Sequence, residues 1–449
     1  MPSAAGRFRS LPHRQALRLA LPAIASNVTV PIVGLIDTGV VGHFASAADL
    51  GAVGLGAAVI ASVFWAFSFL RPGTTSLVGR AIGAGRGADA VTHLQRALAM
   101  AVGLGLAWAA LQWAVVPVLV DVLAGDAAAG PLAQDYALVR GLSLPAVLVT
   151  LAVVGYLIGT QDTRTPLGIA GVVAFVNAAM CVWFVAGLGA GAVGSAWATF
   201  AAEWTGAAVA LALLRLRLGR DGWRLLGSWR SKSLRKGWRA LLSMNAHLVV
   251  RTALLMAVVT ATASLGSRFG DATLAANAIL LQMMYLASYA LDGYATAAET
   301  MAASSIGARR QDEFHRSNLA SSLAGAAIAA ALSLVFWACG DGIVRLLTGL
   351  PDVAAVAHEL WWVAAVLPVV SVGAWILDGI FLGAGRTRDM LWSMAASTLL
   401  GYVALLAVAS MLGAFTNPVL WIAFLAMNVL RAATLGWRYA VLTRRSAWV

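Results

Sequence analysis

Twelve apolar stretches, each long enough to cross a bilayer, follow one another along this chain with only short polar breaks between them. About 20 consecutive apolar residues in a helix cover about 30 Å of hydrocarbon, and a chain that repeats this pattern twelve times has no soluble fold available. The spans read as 15–41, 50–70, 95–119, 136–158, 167–187, 191–214, 240–265, 273–302, 317–339, 360–384, 390–412 and 417–440. A helix satisfies its backbone hydrogen bonds internally, as lipid demands, and the 45 glycines suit close helix packing rather than barrel strands. Composition agrees, with 61% of residues hydrophobic and 11% charged, against about 25% charged in soluble domains. The expected fold class is an all-α polytopic membrane protein. Arg7 to Ser26 begins like a signal peptide, but the apolar run passes Pro22 and Pro31 and continues to Val41, which suits a retained, bent first span.

The net charge of +12 is explained by where the basic residues fall. Alternate loops carry Arg7, Arg9, Arg14 and Arg18; Arg71, Arg80, Arg86 and Arg96; Arg164; the run from Arg215 to Arg239; Arg309, Arg310 and Arg316; Arg386 and Arg388; and Arg438, Arg444 and Arg445. The opposite loops hold only Arg268 and Arg345, beside Asp49, Asp121, Asp126, Asp271, Asp341 and Asp352. Basic loops stay in the cytoplasm, so both termini and the 215–239 loop are expected there, in the inner membrane of a bacterium. Topology accounts for the charge, and no nucleic-acid partner is implied. The two cysteines, Cys181 and Cys339, lie in separate apolar stretches and indicate neither a disulfide framework nor a metal site.

Laid against itself at an offset of 224 residues, the chain shows an internal repeat. Ile82-Gly83-Ala84 falls on Ile306-Gly307-Ala308, and Ala48, Leu50 and Ala52 fall on Ala272, Leu274 and Ala276. Leu123 and Gly125 fall on Leu347 and Gly349; Gly155, Gly159, Thr163 and Arg164 fall on Gly379, Gly383, Thr387 and Arg388. Six spans plus six is the result: a first lobe over 1–214, a basic linker over 215–239 and a second lobe over 240–449. Because six is even, both halves enter the membrane from the same side, so the lobes are related by a pseudo-two-fold axis along the membrane normal. Such a pair is expected to enclose a central cleft and to work by alternating access.

The chemistry available is limited. There is no phosphate-cradling G-x-x-x-x-G-K-[ST] loop, no G-x-S-x-G and no H-E-x-x-H, so neither an ATP-driven motor nor an enzyme is indicated, and no catalytic residue or resident cofactor is expected. His247, inside a span, reads as a packing or hydrogen-bonding residue. Ionisable residues within spans carry the functional signal, because each is costly in hydrocarbon: Asp37, Glu203, Asp292, Glu299 and Asp378, with Arg140, Arg251 and Arg431. Asp37 stands out, since its repeat mate is Ala261 and it follows Pro22 and Pro31 in the first span. Low dielectric favours a protonated carboxyl, and a nearby cation displaces that proton; proton-for-cation exchange needs this competition. The prolines remove helical hydrogen bonds and permit bending. Asp292 and Asp378, each in a Leu-Asp-Gly motif of the second lobe, are candidates for a second polar site or for ion pairs with Arg251 or Arg431. Glu203 and Glu299 read as structural. Trp65, Phe175, Met256, Met283 and Tyr285 are of the types that receive cations and apolar rings, although such residues more often simply pack.

Leu21-Pro22, Leu35-Ile36-Asp37-Thr38, Val41-Gly42-His43 and the run Gly159-Thr160-Gln161-Asp162-Thr163-Arg164-Thr165-Pro166 resemble the multidrug and toxic compound extrusion (MATE) family, in particular its DNA-damage-inducible F branch. Leu377-Asp378-Gly379 and Gly383-Ala384-Gly385-Arg386-Thr387-Arg388 resemble the same branch, and the likeness spans 12–440. The resemblance implies a V-shaped pair of six-helix lobes that exports cationic amphiphiles in exchange for protons or sodium. Carried over, Asp37 matches the coupling carboxylate, Pro22 the first-span proline, Asn177 a fifth-span asparagine and Thr199 a nearby sixth-span hydroxyl. Some relatives place a second carboxylate one turn after that asparagine, where this chain has Cys181; fewer oxygens weaken sodium coordination and favour H+ as the coupling ion. The expectation is a monomeric, proton-coupled efflux antiporter for small organic cations. A sodium-coupled exporter, a lipid-linked precursor flippase and a membrane-embedded enzyme are the alternatives.

Overall fold

The computed structural model describes residues 12–124, 129–228 and 237–448; Arg7, Arg9, Gly125, Asp126 and the stretch 229–236 of the linker lie outside them. The described residues form helices and turns without a strand. Twelve spanning elements follow in order: α1 Pro12–Phe44, α2 Ala47–Gly83, α3 Gly87–Leu123, α4 as the pair Gly130–Gly141 and Leu144–Gly159, α5 Arg164–Gly187, and α6 Gly191–Gly227. The second set is α7 Leu241–Phe269, α8 Asp271–Gly307, α9 Gln311–Ala338, α10 Trp361–Gly383, α11 Thr387–Met411 and α12 Asn417–Arg444. Two short helices, Gly340–Leu347 and Pro351–Glu359, join α9 to α10.

Local sequence sets these boundaries. Ser46 and Asp49 cap α2 reciprocally: the Asp49 amide donates to Ser46 Oγ and the Ser46 amide to the Asp49 carboxylate, each at 3.1 Å, which satisfies two donors at a helix start. Asp49 also accepts from the Ala192 amide at 2.9 Å, tying the start of α6 to that of α2. In α4 the chain bends by 43° between its two segments, where Pro145 offers no backbone donor to continue the first one. The last turns of α5, Val182–Gly187, and the middle of α11, Thr398–Val403, are wound as π-helix. Gly219 takes φ 65°, ψ −173° within α6, so the helix bends as it enters the basic segment. Much of the linker expected over 215–239 is thus a continuation of α6.

The repeat is carried by backbone geometry. The bounds of α2 and α8 differ by 224 residues at both ends, and left-handed residues recur in register at Gly85 and Arg309, Gln161 and Gly385, and Gly189 and Gly413. The glycine matches have a steric cause. A Cβ on Gly155 would lie 2.7 Å from the Arg71 carbonyl and one on Gly159 2.9 Å from that of Thr75; in the second repeat, Gly379 and Gly383 stand against Ala295 and Glu299 at 2.3 and 2.1 Å. Only glycine lets the backbones approach so closely, so both repeats keep the same two positions free of side chains.

By contacts the chain forms two compact units: Ala25–Asn245, and the residues up to Ile24 together with those from Ala246. This differs from a partition at 214 and 240, because α1 is divided between units. Its first turns, through Ala16, Leu19 and Ala20, are buried against Tyr294, Ala297 and Met301 of α8, and a Cβ on Gly293 would lie 2.9 Å from the Ala20 carbonyl. The first unit has its own core around Leu70, Leu94, Leu148 and Leu214; the second is built around Leu280, Trp361, Trp421 and Phe424. In that second unit Asn277 and Asn417 exchange two side-chain hydrogen bonds at 2.9 and 3.0 Å, and Trp421 donates to Asn277 at 2.8 Å.

Candidate functional site

Asp37, Asn177 and Thr199 come from α1, α5 and α6 of the Ala25–Asn245 unit and meet inside it; all three are buried. Asn177 donates its amide to Thr199 Oγ1 at 2.9 Å. Thr199 Oγ1 lies 3.2 Å from Asp37 Oδ2 and 3.1 Å from the Ser195 carbonyl. A hydroxyl has one hydrogen, so Thr199 donates to one of these two acceptors at a time. With Asp37 ionised the hydrogen serves Oδ2. With Asp37 protonated on Oδ2, Thr199 accepts from the acid and turns its hydrogen to Ser195. The second oxygens, Asp37 Oδ1 and Asn177 Oδ1, are buried without a hydrogen-bond partner among the described residues. Cys181, one turn after Asn177, is buried beside Asp37 and Ser195, and its thiol interacts with the carboxyl without closing a bond to Oδ1. Buried acceptors without donors are costly, and a proton or a cation placed here would relieve them.

The same unit carries a cation that the family resemblance does not assign. Arg140, at the end of the first segment of α4, has its guanidinium carbon 5.6 Å from the centre of the Phe64 ring. Its positive field falls on Asp37, on the buried Tyr136 one turn earlier and on Glu203 of α6. Sequence spacing could have paired Tyr136 with Arg140, since they are four apart on one helix; nothing in the sequence marks the Ser195 carbonyl or Phe64 as part of the site.

In the other unit Asp378 of α10 is held in ion pairs with Arg251 of α7 and Arg431 of α12. Asp292 of α8 interacts electrostatically with both guanidiniums. Of the readings left open by sequence, the geometry gives Asp378 the paired one: two carboxylates face two guanidiniums and the cluster neutralises itself. Arg431 is 1% exposed, which hydrocarbon tolerates only in such company. Asp37, by contrast, joins no ion pair within 4 Å among the described residues. Glu299 is enclosed where α8 meets Gly383 of α10, and His247 bonds Thr387 at 3.1 Å. Pro22 lies in the part of α1 grouped with the second unit and Pro31 in the part grouped with the first; the helix runs unbroken through both. Among the candidate aromatic and Met residues, Met283 is buried in a core, whereas Trp65 and Phe175 are exposed.

Twelve membrane-spanning helices in two sequence-related sets, with Asp37 buried among the polar side chains of the first, form the framework of a membrane transporter. Comparison with known proteins makes this specific. The MatE family profile matches residues 22–208 and 248–408. DNA damage-inducible protein F of Escherichia coli K12 is 34% identical over 425 residues, covering 94% of this chain and 91% of that one. A probable multidrug resistance protein NorM of Geobacillus kaustophilus is 26% identical, covering 96% and 95%. Among solved structures, a MATE protein in complex with MaL6 superposes with a TM-score of 0.87 at 18% identity, covering 99% of this chain and 100% of that chain. The chain belongs to the MatE family of multidrug and toxic compound extrusion transporters.

Proposed function

We propose that this transporter is a proton-coupled antiporter that exports cationic or amphiphilic organic compounds across the bacterial inner membrane by alternating access, as a monomer with both termini in the cytoplasm. The observation that carries the reading is the state of Asp37: buried, hydrogen-bonded through one oxygen to Thr199, and, among the described residues, outside any salt bridge and unpartnered at its other oxygen. Such a carboxyl exchanges one neutralising partner for another, here a proton for an organic cation. Thr199 makes the exchange possible without leaving a donor idle, because its hydrogen moves between Asp37 and Ser195. Asp37 sits six residues beyond Pro31 on the helix divided between the two units. Its charge therefore acts at the place where the helical ladder is already weakened.

Sodium is the less favoured partner. A hard cation requires several oxygens; Asp37, Asn177 and Thr199 supply only part of such a set, and Cys181 presents sulfur where a further oxygen would be needed. The basic charge balance of the loops supports the cytoplasmic termini, and the NorM relative's description as a probable multidrug resistance protein supports the substrate class. Proteoliposomes loaded with a fluorescent organic cation test the reading. Efflux is expected under an imposed pH gradient and not under a sodium gradient, and Asp37→Asn abolishes it. Transport driven by sodium alone overturns the proton assignment, and absence of transport under either gradient favours a flippase.

A further inference from the structure

The polar groups of the first unit do not balance as Asp37, Asn177 and Thr199 alone would have it. Among the described residues, Arg140 Nε and Nη1 are buried donors without a partner, and Asp37 Oδ1 and Asn177 Oδ1 are buried acceptors without one. Donors and acceptors that would satisfy each other thus occupy one unit without being joined. The guanidinium rests over the Phe64 face, 5.6 Å from its centre, where the ring attracts a cation, and it bonds the Tyr136 hydroxyl of its own helix. Tyr136 fixes the stem of this arrangement, since its ring leaves no room for a side chain at Gly56 of α2, where a Cβ would lie 2.5 Å from Tyr136 Cδ1. The ionisable groups in the field of the guanidinium are Asp37 of α1, Tyr136 of its own helix and Glu203 of α6, while Cys181 of α5 faces Asp37. One permanent cation is therefore set among two carboxyl groups and engaged fully by neither.

We propose that Arg140 is a built-in competitor for Asp37: a tethered guanidinium that moves between Asp37 and Glu203, and whose place at Asp37 the transported organic cation must take. This rests on Asp37 being the coupling carboxyl. When Asp37 is ionised and no substrate is bound, Arg140 pairs with it, so the carboxylate is not left uncompensated. When a proton arrives, the attraction disappears and Arg140 turns to Glu203 and Phe64. A permanent charge nearby also sets the proton affinity of Asp37, because an opposite charge favours the ionised form. Arg140 is accordingly a positioning residue that acts through Asp37, and Glu203 is its alternate partner.

The test is binding of ethidium to the detergent-solubilised full chain, measured by anisotropy across the neutral pH range, for the wild type and for Arg140→Gln, Arg140→Lys, Glu203→Gln and Asp37→Asn. Arg140→Gln removes the competitor: affinity at the alkaline plateau rises about tenfold while the midpoint of the pH profile moves alkaline by about one unit. Arg140→Lys keeps the charge and restores wild-type behaviour. Glu203→Gln strands the guanidinium at Asp37, so binding weakens several-fold and the midpoint moves acid; this variant leaves Arg140 in place and carries the test if Arg140→Gln does not fold. Unmoved midpoints in both Arg140→Gln and Glu203→Gln, with an Asp37-dependent profile intact, overturn the Arg140 proposal alone. A wild-type pH profile in Asp37→Asn overturns the coupling role of Asp37 on which it rests.

Discussion

Replacing Arg431 by Met tests whether the ionic cluster of the second unit is scaffold. Arg431 is 1% exposed, and its partner Asp378 has a side chain only 12% exposed, so neither charge can turn to water once the other is gone. Removing one member of a buried pair costs about 3–5 kcal/mol. Asp378 keeps Arg251 in the variant, which places the cost near the lower bound, about 3 kcal/mol. For a lobe of this size 1 kcal/mol corresponds to about 2–4 °C, so thermal unfolding followed by size exclusion of the detergent-solubilised protein should shift down by about 6–12 °C. Arg431→Met with Asp378→Leu removes charge and counter-charge together, and should recover most of the loss because a buried pair replaced by apolar groups is near neutral. The double variant should also keep pH-driven efflux. A single variant within about 0.5 kcal/mol of wild type, or a folded double variant without transport, refutes the scaffold reading.

Three further outcomes follow from the same geometry. Gly383→Val forces a branched side chain against the Glu299 carbonyl, where even a Cβ would stand at 2.1 Å; it should cost about 3 kcal/mol or more, read as a lowered melting temperature, with Gly342→Val, which has open space, as the neutral control. Asp162 caps α5 through the Arg164 and Thr165 amides and pairs with Arg217. Burial alone would raise its carboxyl, but the Thr165 hydroxyl and amide, with Arg217, hold it below the usual carboxylate range. The stability it contributes is present above the unfolded value of 3.8 and lost as pH falls through the lower folded value, so Asp162→Ala should lower stability at neutral pH by about 1–2 kcal/mol and differ less from wild type in strong acid. Cys181→Asp adds a carboxylate one turn after Asn177, and sodium should then stimulate efflux in proteoliposomes; no sodium effect would show that missing oxygens are not what disfavours it.

Hydropathy made the twelve spans legible because lipid leaves a helix no alternative, and Gly155, Gly159, Gly379 and Gly383 made the repeat legible because the same close approach recurs in both halves. The division of α1 was not legible. Its cause is a contact between Gly293 and Ala20, and apolar composition carries no record of which apolar face meets which. The sequence leaves the pairing of Asp378 with Arg251 and Arg431 open for a similar reason: the partners are 127 and 53 residues away, and the spans hold three arginines, Arg140, Arg251 and Arg431. Asp37 could be singled out as the carboxylate without a mate in the other repeat. Its setting beside Ser195, Tyr136 and Arg140 depends on how α1, α4, α5 and α6 rotate about their axes, which residues of nearly uniform hydrophobicity do not encode.

Proton counting tests the central claim most directly. Purified protein in weakly buffered detergent solution is mixed with ethidium, and released protons are read with a pH indicator, for the wild type and Asp37→Asn. If Asp37 exchanges a proton for the organic cation, the wild type releases protons in step with ethidium bound and the variant releases none. Ethidium binding without proton release by the wild type, or equal release by Asp37→Asn, would contradict it.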